Sequence, residues 1–335
     1  MSNKATLVLS DGKKFDGFGY GYMSNTASSD IFINMLEHDL ESVVTKASNA
    51  GQICICNFNI FGASGVSNDF SANLSHNVAG VVLGSMQDCM VEGRLSLNDF
   101  LSARGIPCVA GIDINKLKAH LNKSKDKLTA KIVYEKPTLL QVARPLIGTL
   151  VNYKIGDSEP TIAVVDTGMD ETDKQLLLKK ASINMFGDFD YNQIVASNPR
   201  LIVLSDGKPS NINQKLLINI IKANLYSKNP IPMLGIGQGY LALASAYGIK
   251  INNLPYGTFE NKIIRNITTN QTYTIKCNIS QNLIIKSTVP DIKIDYQFVD
   301  NNMPAGMYYR KSKSRGLVSG GELLKQWLDS SECNI

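Results

Sequence analysis

The chain has 335 residues, 44% of them hydrophobic and 19% charged, with a formal net charge of +5. These proportions exclude a wholly disordered chain, and the length suits two domains better than one. So mild a charge gives no reason to expect a nucleic acid or an acidic membrane as partner. The six cysteines (Cys54, Cys56, Cys89, Cys108, Cys277 and Cys333) form no CxxC pair and read as reduced thiols of a cytoplasmic protein. The N-terminus lacks the apolar stretch of a signal peptide, and no apolar run approaches the ~20 residues of a membrane span. All three histidines, His38, His76 and His120, lie in the first part of the chain. The commonest general base is therefore missing from everything after residue 120.

In chain order, Ala5–Leu9 and Lys14–Gly19 read as the two strands of a hairpin turning at Ser10–Lys14. Asp30–Asn34, Gly51–Phe58 and Ala79–Gly84 are β-prone runs. Leu97–Gly105 reads as a helix stopped by Gly105, Pro107–Ile112 as a strand, and Ile114–Leu121 as a helix capped by Asp113. Strands and helices mix here without strict alternation. Pro137, Pro145 and Pro160 mark a connecting region from about Glu135. This gives one domain over 1–152, a linker over 153–160 and a second domain over 161–335.

The second domain alternates cleanly. Strands at Thr161–Asp166, Ser182–Phe186, Arg200–Ser205 and Ile231–Ile236 interleave with helices at Asp170–Lys180, Gln214–Leu225 and Tyr240–Tyr247. This order predicts an α/β domain with a mainly parallel sheet flanked by helices. Ligands of such sheets sit at the C-terminal strand ends, here 204–209 and 236–239.

At the second of these places stands Gly235-Ile236-Gly237-Gln238-Gly239-Tyr240. An apolar strand, a G-x-G turn and a small-residue helix make the layout of a nucleophile elbow, which lifts its central side chain over a helix N-terminus. Here the central residue is glycine, so nothing can attack. Taken alone, the turn reads as a tight strand-to-helix junction. The GxGxxG spacing of a dinucleotide site is absent.

Three stretches give the chain a family likeness. Leu7–Gly17 matches the pattern LxLxDGxxFxG, Gln52–Asn68 matches a second stretch with Phe58-Asn59 in place of Tyr-Pro, and Gly105–Leu117 matches GIxxIxGIDTRxLT. In these the chain resembles the small, glutamine amidotransferase subunit of carbamoyl phosphate synthetase. The resemblance implies that subunit's N-terminal domain followed by a class I glutamine amidotransferase-like (flavodoxin-like) domain. It implies a large-subunit partner carrying ATP, bicarbonate and metal, in pyrimidine or arginine synthesis. No cofactor and no metal is expected on this chain.

The resemblance also aligns the site, and there the residues depart from the pattern. Gly237 aligns with the nucleophilic cysteine. Ser205–Asn211 aligns with the oxyanion loop, of whose two glycines only Gly207 remains. Gln281-Asn282 aligns with a substrate loop. Tyr309–Ser312 aligns with the closing motif, which puts Arg310 and Ser312 at the histidine and glutamate positions. Ser48 matches a serine supplied by the first domain. The remnant pocket is thus Ser48, Gly207, Pro209, Gln238, Gly239, Leu241 and Asn282, with no catalytic residue. Glutamine hydrolysis by this route needs a thiolate, a base and oxyanion donors. Cys277, in a β-like run, and Cys333, near the chain end, read as structural. The expectation is a glutaminase fold without its reaction. Two alternatives stand beside it: a glutamine-hydrolysing site of another make, drawing on Ser48, Gln238 and Tyr240, and a metabolite-sensing or scaffold protein detached from the synthetase. Arg310, Lys311, Lys313 and Arg315 read as solvated loop charge, or as an anion site in the vacated pocket. Cys54 and Cys56 read as packing, and His120 as a cation suited to a helix C-terminus.

Overall fold

The computed structural model describes residues 3–37, 40–58, 60–67, 77–124, 126–137, 152–157, 159–187, 190–207, 211–284 and 291–330. His38, His76, Pro209 and Cys333 lie outside the described residues. The chain divides into two compact units, Met1–Gly148 with Leu254–Glu260, and Thr149–Asn253 with Asn261–Ile335.

The first unit contains β1 (Lys4–Leu9), β2 (Lys14–Gly21), β3 (Ser29–Asn34), α1 (Leu40–Thr45), β4 (Ile53–Cys56), β5 (Ile60–Phe61), β6 (Val66–Ser67), β7 (Gly80–Val82), β8 (Ser85–Met86), β9 (Arg94–Leu95), α2 (Leu97–Ala103), β10 (Pro107–Ala110), α3 (Ile114–Lys123) and β11 (Thr129–Tyr134). Strand pairing runs β11–β1–β2–β10–β7–β4–β3 and returns through a short β3–β11 contact. Alternation along β1 puts Ala5, Leu7 and Leu9 in one cluster with Ile53, Ile55 and Leu117. Phe32, Cys54, Cys56 and Cys108 fill the other. The expected helix signals hold. Ser96 and Asp113 cap α2 and α3 by accepting from Asp99 N–H at 3.1 Å and Lys116 N–H at 3.0 Å. Gly105 takes a positive φ of 67° just past α2.

The second unit carries β12 (Tyr153–Ile155), β13 (Thr161–Thr167), α4 (Glu171–Leu178), β14 (Ser182–Phe186), α5 (Tyr191–Ala196), β15 (Leu201–Gly207), α6 (Asn211–Leu225), β16 (Met233–Ile236), α7 (Gln238–Ala246), β17 (Lys250–Asn266), β18 (Thr272–Ile284), β19 (Ile292–Phe298), β20 (Pro304–Tyr309), β21 (Ser314–Leu317) and α8 (Glu322–Leu328). Five strands are parallel in the order β14–β13–β15–β16–β21. Antiparallel partners extend both sides: β12 beside β14, and β20, β19 and the end of β17 beyond β21. Successive residues face opposite ways. Ile162 and Val164 pack with α4 and α8, and Ala163 and Val165 with α5, α6 and α7. Helices thus cover both faces, as the alternating sequence predicts. The order 2-1-3-4-5 puts the switch point between β13 and β15, where ligands of such sheets bind.

Two expected boundaries need correction. Tyr153–Ile155 is not linker, because it pairs with Ile183–Met185 as an edge strand of the second unit. Leu254–Glu260 belongs to the first unit, because Gly257–Phe259 runs parallel to Phe32–Asn34 and Phe259 is buried in that unit's core.

Candidate functional site

Because β13, β15, β16 and β21 run parallel, their C-terminal ends gather along one edge. At the switch point Thr167 N–H donates to the buried Ser205 Oγ at 2.9 Å, and the Thr167 hydroxyl lies 3.0 Å from the Asp206 carbonyl oxygen. Beside it, the Asp166 carboxylate accepts from Gly168 N–H at 2.9 Å and Met169 N–H at 2.8 Å. One strand further on, Gly237 N–H donates to the Leu317 carbonyl at 2.9 Å, and Gly237 O accepts from Leu241 N–H to open α7.

Gly237 adopts φ 53° and ψ −107°, the sharp strand-to-helix turn of an elbow. A non-glycine residue held there carries strain of about 1–3 kcal/mol. The Asp206 carboxylate lies directly over the turn. Asp206 Oδ1 accepts from Gln238 N–H at 3.1 Å, and a Cβ built on Gly237 would fall 2.1 Å from that same oxygen. Gly239 seats α7 against β15, since a Cβ there would lie 2.1 Å from the Leu204 carbonyl oxygen.

The structure brings Gly207, Gln238, Gly239 and Leu241 of the expected pocket to this edge. Ser48 lies in the first unit, buried, with no hydrogen-bond partner for its Oγ among the described residues. The backbone of Asn282 continues β18. Tyr240 is spoken for elsewhere. Its ring packs beneath Gly316, its hydroxyl donates to the Pro304 carbonyl at 2.9 Å, and burial pushes the phenol well above its ordinary pKa.

Arg310 and Ser312, aligned above with the histidine and glutamate, lie away from the Gly237 turn. They sit in the β20–β21 turn, at the start of β21. Gly235 pairs with Gly316 and Ile236 with Leu317, so Gly237 is at the far end of these strands. Ser312 Oγ is bonded to Tyr247 OH, and Ser312 Oγ and Ser314 Oγ are 2.9 Å apart. Ser314 Oγ accepts from Met233 N–H at 3.0 Å, which places the whole chain of hydroxyls at the beginning of β16. The residues that follow β21 to the Gly237 end are Val318, Ser319, Gly320 and Gly321, none of them acid or base. Gly321 N–H donates to Asp173 Oδ1 of α4 at 2.6 Å.

The basic cluster also separates. Arg310, Lys311 and Lys313 are exposed on that distant turn. Arg315 is buried, 3.1 Å from Asp295 Oδ2 and over the Tyr308 ring. Cys277 is buried in β18 among core residues. In the first unit, Cys54 and Cys56 pack with sulfurs 4.0 Å apart, and burial raises the Cys54 and Cys108 thiols far above the ordinary range. His120 meets Asp11 Oδ2 at 2.6 Å. Among the described residues no group of three or more His, Cys, Asp or Glu side chains is arranged to hold a metal. No helix among them is long and apolar enough to cross a membrane.

The second unit is therefore an α/β protein with an elbow-like strand-to-helix turn, at whose centre stands glycine. The first unit carries the family likeness. Residues 7–132 match the model for the carbamoyl-phosphate synthase small chain, CPSase domain. Over 325 residues the chain is 22% identical to a carbamoyl phosphate synthase small chain of Symbiobacterium thermophilum, covering 90% of this chain and 89% of that one. It is 25% identical to an arginine-specific small chain of Aspergillus niger, covering 92% and 73%. A solved glutamine amidotransferase from Thermotoga maritima is 16% identical with a TM-score of 0.37, covering 50% of this chain and 80% of that one. The chain is thus similar to carbamoyl phosphate synthase small chains, most specifically over residues 7–132, which match their CPSase domain.

Proposed function

We propose that this chain is the small subunit of a carbamoyl phosphate synthetase, that it has lost its own glutamine hydrolysis, and that it serves as structural or regulatory partner of an ammonia-using large subunit. The observation that carries the reading is Gly237. It keeps the φ and ψ of an elbow while supplying no nucleophile, in a unit whose sequence holds no histidine. Removing nucleophile or base from a comparable triad costs roughly 10⁶-fold in rate. The remaining polar groups do not replace them. Tyr240 is buried and already donating, and Gln238 is an amide. ATP, bicarbonate and metal belong on the large subunit in this reading, in the cytoplasm, for pyrimidine or arginine synthesis.

The test is co-purification with the large subunit, followed by carbamoyl phosphate formation with ammonia or with amide-labelled glutamine. The expected result is a stable complex that uses ammonia and transfers no label from glutamine. Label in the product would overturn the loss of hydrolysis. Failure of the two chains to associate would overturn the subunit role and favour a protein detached from the synthetase.

A further inference from the structure

The elbow is occupied as well as disarmed. A helix start leaves backbone N–H groups unbonded, and in an elbow the donor after the nucleophile receives the oxygen of the reacting group. Here that donor, Gln238 N–H, is held by Asp206 Oδ1 at 3.1 Å. The space a side chain at 237 would need is filled by the same carboxylate, with Asp206 Oδ1, Cγ and Oδ2 at 2.1, 2.3 and 2.8 Å from a Cβ built on Gly237. The position is enforced by the fold. Asp206 is the last residue but one of β15 and Gly237 follows β16, neighbouring parallel strands, and the Thr167 and Ser205 hydroxyls hold the β15 end against β13.

We propose that Asp206 is an internal plug: its carboxylate takes both the amide donor and the volume over Gly237, so that the crevice excludes the carboxamide of glutamine. The proposal deepens the reading of a subunit without hydrolysis and rests on it. A carboxylate at a helix N-terminus is a stronger acceptor than the neutral carbonyl of an amide substrate, and it is already in place. It would also oppose any negative charge built there, whether thiolate or oxyanion. Restoring a cysteine alone would therefore not restore an elbow.

Two measurements on the full chain test this. The first compares the thiol introduced by Gly237→Cys with and without Asp206→Gly. Iodoacetamide alkylation is followed peptide by peptide, so that Cys89 is counted separately. The introduced thiol should react at least about tenfold more slowly while Asp206 is present. A single variant that fails to fold where the double variant folds has the same meaning, because the carboxylate fills the space. Equal rates overturn the plug. The second titrates L-glutamine calorimetrically into the parent chain and into Asp206→Gly. Binding by the variant with at least tenfold weaker or no binding by the parent is the expected result. Equal behaviour, whether both bind or neither does, overturns the proposal. A parent chain that hydrolyses glutamine beside the large subunit defeats the functional reading itself. A parent that does not hydrolyse glutamine but binds it as well as Asp206→Gly defeats only the plug.

Discussion

Replacing Gly239 by alanine sets two effects of known size against each other. Gly239 is the second residue of α7, and alanine improves on glycine within a helix by about 1 kcal/mol. The new Cβ would lie 2.1 Å from the Leu204 carbonyl oxygen and 2.7 Å from its carbon. Those are backbone atoms of β15, which is paired on both sides by β13 and β16, so the strand has little freedom to yield. Helix α7 would have to lift by more than about 1 Å to restore ordinary contact, taking Tyr240, Leu243 and Ala244 out of their packing. Overpacking of this kind costs about 1–3 kcal/mol, and because the clash is with backbone the upper end applies. The net effect is a loss of about 1–2 kcal/mol, or roughly 4 °C in Tm for a unit of this size. The chain has one tryptophan, Trp327, buried in the core of the second unit, so its fluorescence in urea or on heating follows that unit alone. Gly248→Ala is the control. It has a φ of 83° but open space around the new Cβ, and should cost only the left-handed backbone, about 1 kcal/mol. An unchanged or raised midpoint for Gly239→Ala would refute the seating argument.

The remaining predictions concern other parts of the fold. Arg315→Leu strands the buried Asp295 beside the half-exposed Lys293 and should lower stability by about 3 kcal/mol, read by Trp327; the double replacement with Asp295→Leu should recover part of that loss. Tyr134→Phe removes the acceptor of the buried Cys108 N–H at 2.8 Å and should cost about 1–3 kcal/mol, seen as faster amide exchange at Cys108 in the first unit. With a thiol reagent at mildly alkaline pH, the exposed Cys89 should label while Cys54, Cys56, Cys108 and Cys277 stay protected until the chain unfolds. The Asp113 carboxyl is held below its ordinary range, chiefly by Lys116 N–H, so its support of α3 is present at neutral pH and fades as pH falls through that depressed value. Asp113→Ala should therefore be less stable than the parent at pH 7 and converge with it in acid. A difference that persists there would contradict the cap's charged role.

What the sequence discloses and what it hides follows from the range of the interactions. The caps at Ser96 and Asp113, the stop at Gly105 and the elbow at Gly237 are local, and glycine, aspartate and serine announce them within three or four residues. The alternation from Thr161 to Gly248 carries its own periodicity and yields the doubly wound order. Strand direction carries no such mark. Matching Tyr309–Ser312 to the closing motif looks acceptable along the chain. Only the antiparallel turn between β20 and β21 reveals that those residues point to the wrong end and that Val318–Gly321 reaches the elbow instead. The long antiparallel strands β17 to β19 are likewise set by partners far away in the chain. Asp206 lay within reach of sequence reasoning. Residues near the ends of neighbouring parallel strands meet, so a carboxylate close to the end of the strand before the elbow strand falls beside Gly237.

The return of Leu254–Glu260 to the first unit bears on how such a chain can be divided, in the laboratory or in evolution. No single cut separates the units. A fragment ending near residue 150 keeps β3 but loses the strand beside it, including the contact of Met35 N–H with Phe259 O at 2.8 Å, and leaves the buried place of Phe259 unfilled. An uncovered strand edge of that kind invites pairing with other chains. A gene that sheds its second half must first replace this seven-residue stretch, which gives the first unit a reason to retain the second that has nothing to do with chemistry.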